Sequence, residues 1–143
     1  MSTTAATGAR APSSVRLLTT IHLAFAGAFL LVTALYLGRM AATGAGPADM
    51  LTGHYDPKDL VPFGPSGMNP FTWFYALVAL LYLVGFLVSP ALAMVSLPLL
   101  ARTWHELSRP ARALLLAGIV SAVALPLLRL IPAVGDMHRW WLD

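Results

Sequence analysis

The sequence contains no cysteine and very few charged side chains. Without cysteine, the chain cannot form disulfides, thiolate metal sites or iron–sulfur clusters, and it cannot use thiol catalysis. Charged residues make up 10% of the 143 residues and hydrophobic residues 58%, whereas ordinary soluble domains contain roughly 25% charged and 45–50% apolar residues. This composition predicts an integral membrane protein.

Charge is absent altogether from the stretch between Phe71 and Leu100, which has no polar face. Two other apolar segments are also long enough to cross a hydrocarbon layer about 30 Å thick at about 1.5 Å per helical residue. We therefore predict an all-α, polytopic transmembrane protein with one membrane domain, residues 15–143. The predicted spans are about 15–37, 71–100 and 111–133.

Four spans are the alternative, and they require a turn at Ser89-Pro90. Residues 91–101 would then cross alone, although eleven helical residues reach only about 17 Å. A single long helix, kinked at Pro90, is the favoured interpretation.

The remaining segments are predicted as tails and connections. Residues 1–14 are small and polar and are expected to be disordered. Residues 38–70 are rich in Gly and Pro, and residues 134–143 place Trp140 and Trp141 at a membrane interface. They are a disordered tail 1–14, an outer loop 38–70, an inner hinge 101–110 and an outer C-terminal tail 134–143.

The placement of arginine predicts the orientation. Three arginines lie within the short hinge and its flank, and basic residues are retained in short cytoplasmic segments. We expect the N-terminus to be cytoplasmic and the C-terminus outside, in a plasma (inner) membrane.

Small residues on two spans predict faces where another helix can approach closely. The first span offers Ala24, Gly27 and Ala28. The third offers Gly118 with Ala122, or Ala117 with Ser121.

Two short motifs in the outer segments suggest a metal site. Imidazole and carboxylate groups are ligands for zinc, copper or iron, and two of each could complete a four-coordinate site. Nearby methionines would favour cuprous copper. The spacing matches no standard metal motif, and the competing interpretation is ordinary polar loop residues. The four candidate ligands are His54, Asp56, Asp136 and His138.

His22 is an ionisable residue inside the first span, which makes it a candidate cofactor-binding residue. It could bind haem axially, although His105, the other inner-side histidine, is poorly placed as a second ligand. A quinone or lipid headgroup is a further candidate partner. The structural alternative is a neutral histidine hydrogen-bonded to a carbonyl or to Thr19.

Four arginines are candidates for binding an anion or a lipid headgroup. Arg129 lies inside the third span, where snorkelling towards the outer interface is the favoured interpretation. The other three, near the inner surface, could contact anionic lipid or could serve only as the topology signal. They are Arg102, Arg109 and Arg112.

The sequence contains no phosphate-binding glycine loop and no hydrolase motif. No carboxylate lies inside a span, which weighs against a proton- or cation-coupled transporter. Nothing supports nucleic-acid binding. The leading hypothesis is an accessory or structural subunit of a larger membrane complex, without enzymatic activity or cofactor of its own, contacting lipid and other subunits or a second copy. The alternatives are a redox or metal-handling protein, with haem, copper or zinc, and a small oligomeric transporter or channel.

Overall fold

The computed structural model describes residues 11–142, and these residues are helical without any β-strand. The all-α prediction is therefore confirmed. Five α-helices and one short 3-10 helix (Pro57–Leu60) follow one another along the chain. The α-helices are α1 (Ser13–Thr43), α2 (Pro47–Met50), α3 (Pro70–Thr103), α4 (Arg109–Leu128) and α5 (Pro132–Leu142).

Three of these helices, α1, α3 and α4, are long and apolar enough to cross a membrane. Helix α3 is continuous through Pro90 and Pro98, so residues 71–100 do not turn back and the four-span alternative is excluded. The described chain is thus a multi-pass membrane protein with three candidate spans.

The three spanning helices form a bundle in which each contacts the other two. Helix α1 is antiparallel to α3, since Phe25 meets Gly85 and Phe29 stacks on Tyr82. Helices α1 and α4 are parallel. The bundle therefore has a basic end, where α1 and α4 begin and Arg16, Arg102, Arg109 and Arg112 are located, and a loop end, which carries α2, the 3-10 helix and α5.

Glycine permits the closest approaches between the spans. A Cβ atom added at Gly118 of α4 would lie 2.7 Å from the Cβ of His22 on α1, and one added at Gly85 would lie 3.1 Å from the Cβ of Phe25. Helices embedded in lipid gain little from apolar burial alone, so such close contacts supply much of their attraction.

The loop end is ordered by specific hydrogen bonds. The amide of Asn69 donates to the carbonyls of Pro62 and Gly64, and its oxygen accepts from the N–H of Phe71, which caps α3. Phe63 lies in the left-handed region with φ of 66°, directly before Gly64, and its ring is 95% exposed.

Two helix ends differ from the predicted spans by at least five residues. Helix α1 runs to Thr43, six residues beyond its predicted end, because the chain keeps helical hydrogen bonding until Gly44 adopts a left-handed cap. The third span ends earlier, at Leu128, where two turns and Pro132 interrupt the helix. At the N-terminus, Ser13 and Ser14 already belong to α1, and residues 1–10 of the predicted disordered tail lie outside the described residues.

The segment 134–143, predicted as a tail, falls largely within the amphipathic helix α5. Trp140 and Trp141 are buried rather than placed at an interface. The indole of Trp140 packs on Tyr36 and donates to the carbonyl of Tyr55, while Trp141 packs on Tyr75. Their apolar rings pair with other rings, and this contact fixes α5 against the bundle.

Gly118, which packs against His22, and Gly27, which faces open space, give a direct test of the contact between α1 and α4. Replacing Gly118 with Ala should destabilise the protein by about 1–3 kcal/mol, because the new methyl group must displace His22 or α4. Replacing Gly27 with Ala meets no atom within 4 Å and should be neutral or slightly stabilising. Thermal unfolding in one detergent would measure both variants. Equal effects would contradict the tight α1–α4 contact.

Candidate functional site

His22 lies at the point where all three spanning helices meet. Its side chain is 1% exposed, its Nε2 is 2.9 Å from the hydroxyl oxygen of Ser96 on α3, and Gly118 of α4 packs against its Cβ. The partner is therefore neither a carbonyl nor Thr19, because α3 presents Ser96 to the imidazole. The haem hypothesis for His22 stays a prediction, and His105 lies exposed beyond the end of α3.

Serine residues provide the polar part of this interior. Ser89 and Ser96 are both buried on α3, and within residues 11–142 the hydroxyl of Ser89 and the Nδ1 of His22 have no hydrogen-bond partner. Sequence reasoning missed these serines. The available signal was the recurrence of small residues every three or four positions along α3, at Gly85, Ser89, Ala93 and Ser96.

His138 on α5 forms a second buried polar contact, at the loop end. Its Nδ1 is 3.3 Å from the hydroxyl oxygen of Tyr82, and its ring packs against those of Tyr82 and Phe86. Burial lowers the pKa of His138, and the positive charge of Arg129 lowers it further. The imidazole is therefore neutral at neutral pH.

Arg129 ends α4 and lies beside this aromatic group. Its guanidinium carbon is 5.7 Å from the centre of the Phe86 ring, within the range of a cation–π contact. No carboxylate in residues 11–142 pairs with it, since Asp136 forms its ion pair with Arg139. The cation thus contacts an aromatic face of α3, and its proposed role in binding an anion or a headgroup stays a prediction.

The predicted metal ligands do not form a cluster. His54 is exposed in the loop, the carboxylate of Asp56 accepts from the backbone N–H of Lys58, and His138 faces Tyr82. The part of the chain that the structure describes contains no group of three or more His, Asp or Glu side chains able to hold a metal ion. The zinc, copper or iron assignment for His54, Asp56, Asp136 and His138 stays a prediction without a geometric argument.

The arginines of the basic end surround the connection between α3 and α4. The Nε of Arg112 donates to the carbonyl of Leu107, and its guanidinium lies 5.1 Å from the centre of the Trp104 ring. Arg102 and Arg109 are exposed. This end is therefore strongly positive, with Glu106 as the acidic residue within the connection.

The chain matches no protein family model, and no curated protein or solved structure shows significant similarity to it. Its function must accordingly be inferred from its own geometry.

The two buried serines of α3 offer a matched test of the His22 contact. Ser96→Ala should destabilise the bundle by about 0.5–1.5 kcal/mol, because it removes the interhelical hydrogen bond to His22. Ser89→Ala should be neutral or stabilising, because it removes a hydroxyl that has no partner in the described residues. Chemical unfolding in mixed micelles would compare them. A larger loss for Ser89→Ala would contradict the assigned contact.

Proposed function

We propose that the protein is an accessory or structural subunit of a larger membrane complex, and that one face of α1 binds a transmembrane helix of a neighbouring subunit. The observation that carries this proposal is a heptad pattern of exposed residues on α1, with small residues at one position and leucines three residues later. This face, the α1 seam, consists of Thr20, Gly27, Ala34 and Ala41 together with Leu23, Leu30 and Leu37.

A repeat of seven residues keeps one face of a helix against a partner over several turns, as in coiled coils. Small residues at alternate seam positions let two backbones approach closely, and the intervening leucines can fill the space beside them. A Cβ atom added at Gly27 meets nothing within 4 Å in the structure. This space is therefore open to a side chain from a partner.

The α1 seam points away from the protein's own bundle. The buried residues of α1 include His22, Phe25, Phe29 and Val32, which lie on the opposite side of the helix from Gly27 and Ala34 at 100° per residue. A partner could therefore bind without displacing α3 or α4.

The small residues predicted on the spans divide between internal and external contacts. Ala28 of α1 and Gly118 and Ala122 of α4 are buried inside the bundle, so they are already used within the chain. Gly27 is exposed, and it is this face that supports association with another helix. The redox, metal-handling and channel hypotheses gain no comparable contact in the described residues and stay predictions.

Bulky substitutions in the α1 seam test the proposal. Gly27→Ile and Ala34→Ile should reduce co-purification of partner subunits at least tenfold after gentle extraction from the native host, because the added branches prevent close backbone approach. Ala76→Ile, at an exposed position of α3, is the matched control and should leave co-purification unchanged. Quantitative mass spectrometry of the purified sample provides the readout.

A photoreactive residue at position 30 would identify what lies against the α1 seam. An adduct with a different polypeptide is the expected result. An adduct with twice the mass of the chain would show self-association and would overturn the subunit proposal. Normal membrane abundance of each variant, measured in parallel, separates lost contact from failed folding.

We infer that the basic end faces the cytoplasm of a cell whose plasma membrane holds the protein. The support is the positive-inside rule applied to the short connection between α3 and α4, where Arg102, Arg109 and Arg112 lie within eleven residues. The loop end carries four basic residues as well, spread over longer segments: Arg39, Lys58, Arg129 and Arg139.

The absence of native cysteine makes this orientation simple to test. A single cysteine in place of Met68, which is 94% exposed in the loop, should react with a membrane-impermeant maleimide in intact cells. A single cysteine at the exposed Ser108 should react only after permeabilisation. The reverse pattern would contradict the inferred orientation.

A further inference from the structure

A groove of about 300 Å³ lies between α1 and α4 at the basic end. Its apolar walls are formed by Val15 and Leu23 of α1 and by Ala111 and Leu114 of α4. Leu23 and Leu114 are 40% and 48% exposed, so the groove opens on the lipid-facing surface of the bundle. An apolar space of this size favours an apolar occupant over water.

Arg16 also lines the groove, and it is exposed. Within residues 11–142 it forms no ion pair, since the ion pairs of this region lie at the loop end. Arg16 and Arg112 each lie six residues, about 9 Å of helix, before the contact between His22 and Gly118. The two parallel helices therefore place these two arginines in the same layer.

Two free hydroxyl groups complete the lining. Elsewhere in the spanning helices, the hydroxyls of Thr33 and Thr103 donate hydrogen bonds to the carbonyls of Phe29 and Leu99, four residues earlier in their own helices. Thr19 and Thr20 line the groove and make no such hydrogen bond within the part of the chain that the structure describes. Their hydroxyls are free to donate to an ester or phosphate oxygen.

We propose that this groove binds one anionic phospholipid. An acyl chain lies along Val15, Leu23 and Leu114, and the phosphate lies against the guanidinium of Arg16, with the glycerol ester within reach of Thr19 and Thr20. The charge of the basic end selects an anionic headgroup over a zwitterionic one. A free anion would leave the apolar walls of the groove exposed, whereas the acyl chain of a lipid covers them.

The lipid proposal does not rest on the proposed function, but the groove and the α1 seam share Thr20 and Leu23. At these two residues the lipid would lie beside the partner helix. The seam variants at Gly27 and Ala34 lie outside the groove. Loss of partner binding and loss of lipid binding are therefore separate results.

Native mass spectrometry of the full chain, titrated with phosphatidylglycerol or phosphatidylcholine, tests the proposal. One phosphatidylglycerol per chain should be retained at least fivefold more strongly than phosphatidylcholine. Arg16→Gln should remove this preference, and Leu114→Trp should reduce the retention of both lipids by filling the groove. The matched controls are Leu116→Trp, exposed on α4 outside the groove, and Arg139→Gln, exposed at the loop end.

Three results would overturn the proposal: equal retention of the two lipids by the unmodified protein, an unchanged preference in Arg16→Gln, or equal effects of Leu114→Trp and Leu116→Trp. A phosphatidylglycerol with a diazirine on its acyl chain gives a second readout that needs no variant. Labelling should be found in peptides containing residues 15–23 and 111–114. Labelling confined to other peptides would equally exclude the groove.

Discussion

The bundle depends on the close packing around His22, whose side chain contacts both other spanning helices. Ser96 of α3 bonds to its Nε2 and Gly118 of α4 packs against its Cβ. Lipid tails are as apolar as leucine, so burying leucine between helices gains little in a membrane. The hydrogen bond between His22 and Ser96 and the close packing at Gly118 fix the register of all three helices, which apolar burial alone cannot do.

Much of the fold follows from hydropathy, because a lipid environment allows few alternatives to long apolar helices. The three spans and their order could be predicted on that basis. The end of the third span could not, because Arg129, Leu130 and Ile131 break the helix through turn hydrogen bonds and Pro132, while the apolar character continues. Hydropathy measures which residues tolerate lipid, and it does not measure where a backbone bends.

The candidate sites could be predicted less well, because they depend on pairing between distant segments. The sequence predicts His22 as an ionisable residue inside the first span, but Ser96, its partner, is one serine within an apolar helix. The sequence pattern groups His138 with acidic residues as a metal ligand, whereas the structure places it against Tyr82 and Phe86. The amphipathic spacing of Met137, Trp140 and Trp141 could have predicted α5, but Pro132 and Gly135 in its first turn favour an irregular segment when only the sequence is considered.

The contact between His22 and Ser96 joins residues 74 positions apart, and this separation has a consequence for biosynthesis. At a synthesis rate of about 5–20 residues per second, α1 is made roughly 4–15 seconds before its first hydrogen-bonding partner on α3. During that interval the imidazole of His22 must be accommodated without Ser96, by water, by a lipid headgroup or by the insertion machinery. The contact that fixes the first helix in the bundle can therefore form only after Ser96 has been synthesised.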